Sequence, residues 1–251
     1  MAKFDEYANK YQTIRMERRN GILQLTFHTD GGPLRWGLPP HRDFTYAFAD
    51  IGSDPENKVI IMTGTGDEFS GPRPSGPHRP GGTPRAWDAI YWEGKHLLQN
   101  LLDIEVPMIS AINGPALRHC EIPLLCDIVL AAEHAEFQDS AHFPSGLVPG
   151  DGMHIVMPLL LGANRGRYFL LTGQVIPARQ AQELGLVAEV LPKDKLLPRA
   201  WELAEQLLKQ PPLTRRYARV AITQDIKRKL LDLLGYGLAL EGLGALDKEP
   251  Y

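Results

Sequence analysis

Between Asn113 and Gly152 the chain gathers histidines and carboxylates in a stretch broken by Gly and Pro. Two blocks in it hold residues that can move protons. The first, Asn113-Gly-Pro-Ala-Leu-Arg-His-Cys-Glu121, follows the apolar run Met108–Ile112. Pro115 lacks an N–H and restricts φ, so a turn is expected before the next helix. A helix beginning near His119 would leave its first N–H groups without intrahelical partners, and such groups suit a developing oxyanion. His119 and Glu121 would then sit at that opening. The plainer alternative is a strand-to-helix turn carrying a solvated histidine.

The second block, Gln138-Asp-Ser-Ala-His-Phe-Pro-Ser-Gly-Leu-Val-Pro-Gly-Asp-Gly152, follows the apolar run Ile128–Ala131. Its candidates are His142 and Asp151. Histidine takes a proton most easily near neutral pH. A carboxylate on its other ring nitrogen would fix the tautomer and stabilise the imidazolium, and the broken loop between the two residues permits that contact. The alternative is an exposed histidine, with Asp151 capping a helix that starts near Gly152; Asp151 could also do both. Trp36, after Gly31-Gly-Pro-Leu-Arg, reads as a packing lid or as a hydrogen-bond donor, because its indole N–H can only donate.

Other chemistries lack their residues. Gly64-Thr-Gly66 misses the third glycine of a dinucleotide fingerprint, and no helix pattern follows it. No HExxH pair, zinc-type Cys/His spacing or G-x-S-x-G elbow occurs. The basic residues Arg215, Arg216, Arg219, Lys227, Arg228 and Lys229 read as a solvated helix face.

The elements that must position these groups alternate along the first three quarters of the chain. Apolar, β-branched runs predict strands at Ile22–Phe27, Val59–Thr63, Met108–Ile112, Ile128–Ala131 and Val187–Leu191. Helices are predicted at Arg42–Ile51, Ala86–Leu102, Ala178–Leu184, Lys195–Lys209 and Thr214–Leu234, with a last piece through Glu241. This is an α/β core (about 11–192) followed by a helical region (about 193–251), expected to form one domain over 1–251. The Pro/Gly-rich stretch Gly71–Pro84 cannot be regular helix or central strand and reads as a loop over a pocket.

Composition agrees with a globular protein of 251 residues, 43% hydrophobic and 23% charged. A formal charge of -3 gives no reason to expect a nucleic-acid partner. The first residues lack the apolar core of a secretory signal and no apolar run is long enough for a membrane span, so a cytoplasmic location and no membrane partner are expected. Two cysteines, Cys120 and Cys126, fit a reducing compartment.

Four ordered blocks, Thr63-Gly-Thr-Gly-Asp-Glu-Phe-Ser-Gly71, Ile112-Asn-Gly-Pro-Ala-Leu117, Cys126-Asp-Ile-Val-Leu-Ala-Ala-Glu133 and Gly146-Leu-Val-Pro-Gly-Asp-Gly152, resemble the crotonase (enoyl-CoA hydratase/isomerase) superfamily. The resemblance runs from about Tyr11 to Ala245. It implies a spiral of ββα units with a C-terminal helical trimerisation region, assembled as a homotrimer or dimer of trimers. It also implies chemistry built on enolate or oxyanion stabilisation by two backbone N–H groups. The chain departs from that pattern where it matters. Arg118-His119 stands where a Gly-Gly-Gly run is usual, and Phe69-Ser-Gly-Pro-Arg-Pro-Ser75 replaces the usual oxyanion loop with two prolines that carry no N–H. Glu121 matches the first of the two hydratase glutamates, while the second falls at or beside His142.

Those departures, with Phe137-Gln-Asp139, His142-Phe-Pro-Ser-Gly146, Asn164-Arg-Gly-Arg-Tyr-Phe-Leu-Leu-Thr-Gly173 and Arg215-Arg-Tyr-Ala-Arg219, look like 6-oxocamphor hydrolase and related β-diketone hydrolases. That resemblance places Trp36, His119, His142, Asp151 and Glu241 in an active site that uses no cofactor, neither CoA thioester nor metal. It implies retro-Claisen hydrolysis of a C–C bond between two carbonyls of a cyclic or linear β-diketone. In it His142, oriented by Asp151, takes a proton from water. His119 and Trp36 donate to a diketone oxygen. Glu241 positions His142 or water, or assists proton transfer. An unperturbed imidazole titrates at about 6.5, which would leave much of His142 as free base near neutrality. The alternative is a hydratase, isomerase or other enzyme of CoA thioesters.

Overall fold

The computed structural model describes residues 1–71 and 83–247. Most of the stretch read as a pocket-covering loop, 71–84, lies outside them. In chain order the described residues form α1 (Phe4–Tyr7), β1 (Ile14–Arg19), β2 (Ile22–Phe27), β3 (Leu34–Arg35), α2 (Leu38–Ser53), β4 (Val59–Gly64), β5 (Ser70–Gly71) and α3 (Pro84–Asp103). There follow β6 (Met108–Ile112), α4 (Glu121–Leu124), β7 (Ile128–Ala132), β8 (Glu136–Phe137), a 3-10 turn at Phe143–Ser145, α5 (Met153–Leu161) and α6 (Ala163–Thr172). The chain ends in β9 (Ile176–Pro177), α7 (Ala178–Glu183), β10 (Glu189–Leu191), α8 (Lys193–Leu208) and α9 (Pro212–Leu246). No described helix is long and apolar enough to cross a membrane.

The main sheet runs β1-β2-β4-β6-β7-β10, antiparallel at the β1–β2 hairpin and parallel elsewhere. Its strands are apolar on both faces because helices cover both. On one face Val59, Ile61, Ile109, Ala111 and Leu130 meet Leu196, Ala200 and Ala204 of α8. The alternate residues Leu23, Leu25, Ile60 and Met62 face the larger core, with Phe44, Phe48, Leu98 and Leu101 of α2 and α3. The five strands expected from sequence are present. The last begins at Glu189 because Gly185 turns in the left-handed region (φ 81) and Val187 is still in the entry loop.

A second, smaller set of ladders holds the segments that bear the two histidine blocks. β3 pairs with β5, β8 with β9, and Ala116 bridges both Ser70 and Phe137, so the segment after β6 lies between β5 and β8. Asn113 fixes the turn: its amide donates to Gly66 O and Glu68 O and its oxygen accepts from Gly64 N.

Two helical expectations are corrected. Residues 212–246 form one helix, not a helix to Leu234 plus a separate piece. Its glycines weaken the helical signal in sequence, yet they allow close approach. A Cβ at Gly237 would collide with His154 and with Gly150 O, so only glycine lets α9 reach the 149–152 turn. The basic run of α9 is also only partly solvated. Arg219 is buried; it donates to Ile104 O (2.6 Å) and pairs with Asp127. Arg215 is buried and donates to Gln210 O (3.1 Å), closing the end of α8.

Candidate active site

The two histidine blocks are laced together by backbone. Ser140 N and Oγ both donate to Leu117 O (3.0 and 2.5 Å), and Gln138 N donates to Ala116 O (3.3 Å). His142 then emerges beside His119, with ring centroids 6.2 Å apart at 82°. His119 has φ +52, a left-handed conformation that suits glycine and costs other residues about 1 kcal/mol or more, histidine being among the more tolerant. The expected helix starts only at Glu121 and spans four residues, because His119 must first turn its ring inward. The N–H of Leu117 is already bonded to Ser70 O (2.8 Å).

Five residues named from sequence meet here. His142 is 2% exposed; its Nε2 stands 3.2 Å from Asp151 Oδ2 and 3.6 Å from Glu241 Oε1. The same Asp151 oxygen is 3.2 Å from His119 Nδ1, so one carboxylate bridges two imidazoles. Trp36 lies on His119 with centroids 3.9 Å apart at 33°, braced on its other side by Phe44 at 5.3 Å. Among the described residues the Trp36 N–H has no hydrogen-bond partner, and its ring stacks on His119 at the edge of the site. Glu241 comes from α9, held against the site where Trp87 Nε1 of α3 donates to Leu238 O (3.0 Å).

Two expectations about Asp151 are corrected. It does not cap α5: Gly152, at φ 118, takes the N-cap position and no side chain closes it. Nor does Asp151 occupy the far nitrogen of His142. That place belongs to Asp139, whose Oδ1 is 2.6 Å from His142 Nδ1, both residues being buried. On His119 the arrangement differs: Glu121, at 2.8 Å, and Asp151, at 3.2 Å, both face Nδ1. Glu121 is expected beside His119 from sequence, and the structure places it there; Asp139 is not singled out by sequence, although three residues before His142 is the spacing at which a short turn brings side chains together.

Four buried acids around two imidazoles govern the proton inventory. Burial alone would lower both histidines. For His142 the carboxylates of Asp151 and Asp139 outweigh burial and hold it well above 6.5, and for His119 Glu121 and Asp151 raise it more modestly. The expectation of an unperturbed His142 is therefore corrected: near neutrality it holds its proton more firmly than a free imidazole. Asp151 resists the upward push of burial because two imidazoles flank it, and it stays ionised well below the usual carboxylate range. Glu241 and Glu121 go the other way, raised by burial, with nearby Asp151 adding to it. In each of Glu121, Asp139, Asp151 and Glu241 one oxygen has no hydrogen-bond partner among the described residues.

Two trios could each offer a metal three donor atoms within 4.8 Å, His119, Glu121 and Asp151 or His142, Asp151 and Glu241. A metal would need deprotonated ring nitrogens, and the neighbouring carboxylates raise the proton affinity of both imidazoles, so metal and proton would compete there. The arrangement suits proton transfer better: an ionised acid and a basic imidazole in contact, a second acid of raised pKa nearby, and donors on one wall.

The enoyl-CoA hydratase/isomerase family matches residues 38–236. A solved β-diketone hydrolase from the cyanobacterium Anabaena sp., bound to (S)-3-oxocyclohexyl acetic acid, has a TM-score of 0.94 and 52% identity, covering 96% of this chain and 97% of that one. The 2,3-dehydroadipyl-CoA hydratase of Escherichia coli is 38% identical over 47% of this chain and 47% of its own length, so the chain spans about half of that relative. The carnitinyl-CoA dehydratase of Salmonella arizonae is 28% identical over 88% of this chain and 82% of its own. With most of its length matched, this chain belongs to the enoyl-CoA hydratase/isomerase, or crotonase, family.

Proposed function

We propose that this protein is a β-diketone hydrolase, cleaving a C–C bond between two carbonyls by retro-Claisen hydrolysis. The observation that carries the reading is Asp151 bridging His119 and His142, with Glu241 facing the same Nε2 of His142. Similarity to the Anabaena enzyme supports it.

His142, in its neutral form, takes a proton from water through Nε2. The hydroxyl oxygen bonds to one carbonyl carbon and gives a tetrahedral oxyanion. That intermediate collapses by breaking the bond to the carbon between the carbonyls. Carbon leaves because the second carbonyl accepts the electron pair as an enolate. The N–H groups of His119 and Trp36 donate to the diketone oxygen that gains this charge; one such donor is typically worth about 10²–10³ in rate. Side-chain donors do here what backbone N–H groups do elsewhere in the family. The enolate carbon then takes a proton, from His142 or from Glu241, whose raised pKa suits a donor. The product is a keto acid.

The second reading, a CoA-thioester enzyme, is favoured by the 38% identity to the hydratase. It calls for two backbone donors, and Pro72 and Pro74 supply none in the stretch where the family places one. Incubation with a cyclic 1,3-diketone and, separately, with crotonyl-CoA tests the two readings: consumption of the diketone with release of a keto acid is expected, and hydration of crotonyl-CoA alone overturns the proposal.

A further inference from the structure

The two carboxylates that touch His142 stand on opposite sides of its ring and differ in every local respect. Asp139 is 1% exposed, and its Oδ1 lies 2.6 Å from Nδ1, at the short end for a charge-assisted hydrogen bond. Its loop is tied to the neighbouring segment by Ser140 and Gln138. Asp151 is 9% exposed, stands 3.2 Å from Nε2 and shares the same oxygen with His119. Glu241, at 3.6 Å, also faces Nε2, and the buried Arg118 guanidinium lies close enough to feel both Asp139 and Asp151.

When His142 gives up one of its two ring protons, the carboxylates compete for the one that stays. The shorter and more deeply buried contact holds its proton better, and a shared oxygen holds less. We infer that Asp139 is the positioning residue of this site: it keeps the last proton of His142 on Nδ1 and so leaves Nε2, on the side of Asp151, Glu241 and His119, as the nitrogen that accepts a proton. A free imidazole has no such constraint, and loss of the orienting carboxylate elsewhere leaves a histidine in the wrong tautomer and costs about 10⁴ in turnover. Asp151 is then free to act on water and on His119 rather than to aim the base.

This inference rests on the reading of His142 as the base, and its test separates the two. Nitrogen-15 NMR of histidine-labelled wild-type protein, taken above the titration of His142, reads the tautomer without substrate. A protonated Nδ1 is expected; a protonated Nε2 overturns the inference. In Asp139→Asn, kcat on a cyclic 1,3-diketone is expected to fall by about 10²–10⁴. KM should stay within a few-fold, and the acid limb of the pH profile should move to lower pH because a charge favouring the imidazolium is gone. A folded variant with kcat within twofold of wild type and an unmoved limb also overturns it. If the variant does not fold, the wild-type tautomer still decides. If wild-type protein consumes no diketone, the functional reading falls while the tautomer result still stands for or against Asp139.

Discussion

Asp151→Asn changes one oxygen to an amide nitrogen and leaves the shape of the site nearly intact, so its effect isolates a charge. That carboxylate oxygen lies 3.2 Å from His142 Nε2 and 3.2 Å from His119 Nδ1. At an effective dielectric of ~20, unit charges at this distance attract by roughly 5 kcal/mol before compensation. The neighbouring Asp139, Glu121 and Glu241 recover part of that for the imidazoles, and the amide retains some hydrogen bonding. A full loss would correspond to about 10³–10⁴ in rate, since each 1.36 kcal/mol is tenfold. The expected fall in kcat/KM on a cyclic diketone is therefore about 10²–10⁴. The acid limb should move to lower pH as well, because Asp151 favours protonated His142. Stopped-flow loss of enolate absorbance across a pH series measures both. A folded Asp151→Asn protein with turnover within threefold of wild type and an unchanged pH profile would refute the reasoning.

Wild-type kcat/KM should rise with pH to a plateau whose acid limb has its midpoint above 6.5, since the base works deprotonated and its neighbours hold its pKa up; a midpoint below 6.5 contradicts this. His142 stabilises the fold fully below its unfolded pKa of 6.5, and this is lost as pH rises through the raised folded value. Asp151 contributes fully above 3.8, and this is lost as pH falls through the depressed one. Urea unfolding should therefore show these contributions together between about pH 4 and 6.5. Trp36→Phe, which keeps the ring on His119 and removes the N–H, should cost about 10–10³ in kcat/KM, read in the same kinetics. Arg219→Met leaves Asp127 unpaired and should destabilise the protein by about 3–5 kcal/mol in urea titrations while sparing KM. Light scattering should give three or six times the chain mass if exposed Ile222, Tyr236 and Leu243 of α9 are covered by further copies.

Strong local signals were legible in the sequence. Apolar runs such as Met108–Ile112 are buried along their whole length and mark the central strands. His119 and His142 stood out because histidine is chemically rare and both follow strands. The Asn20-Gly21 turn, with φ of 53° and 82°, carries an equally clear hairpin signal for β1, a strand missed because it is short and Arg18 takes an inward position where the alternation calls for an apolar residue. What sequence could not show is which carboxylate meets which nitrogen. Asp139 and Asp151 are both near His142 along the chain, and only the lacing of Ser140 to Leu117 decides that the first takes Nδ1. Likewise Arg219 reads as one more surface charge until Ile104 O and Asp127 are seen around it.

The central claim is C–C hydrolysis, and its most direct measurement is turnover in ¹⁸O-labelled water with a panel of cyclic and linear β-diketones, beside crotonyl-CoA. The account predicts loss of the diketone, one keto acid formed per diketone consumed with one labelled oxygen in its new carboxylate, and untouched crotonyl-CoA. Hydration of crotonyl-CoA with every diketone left intact would contradict it.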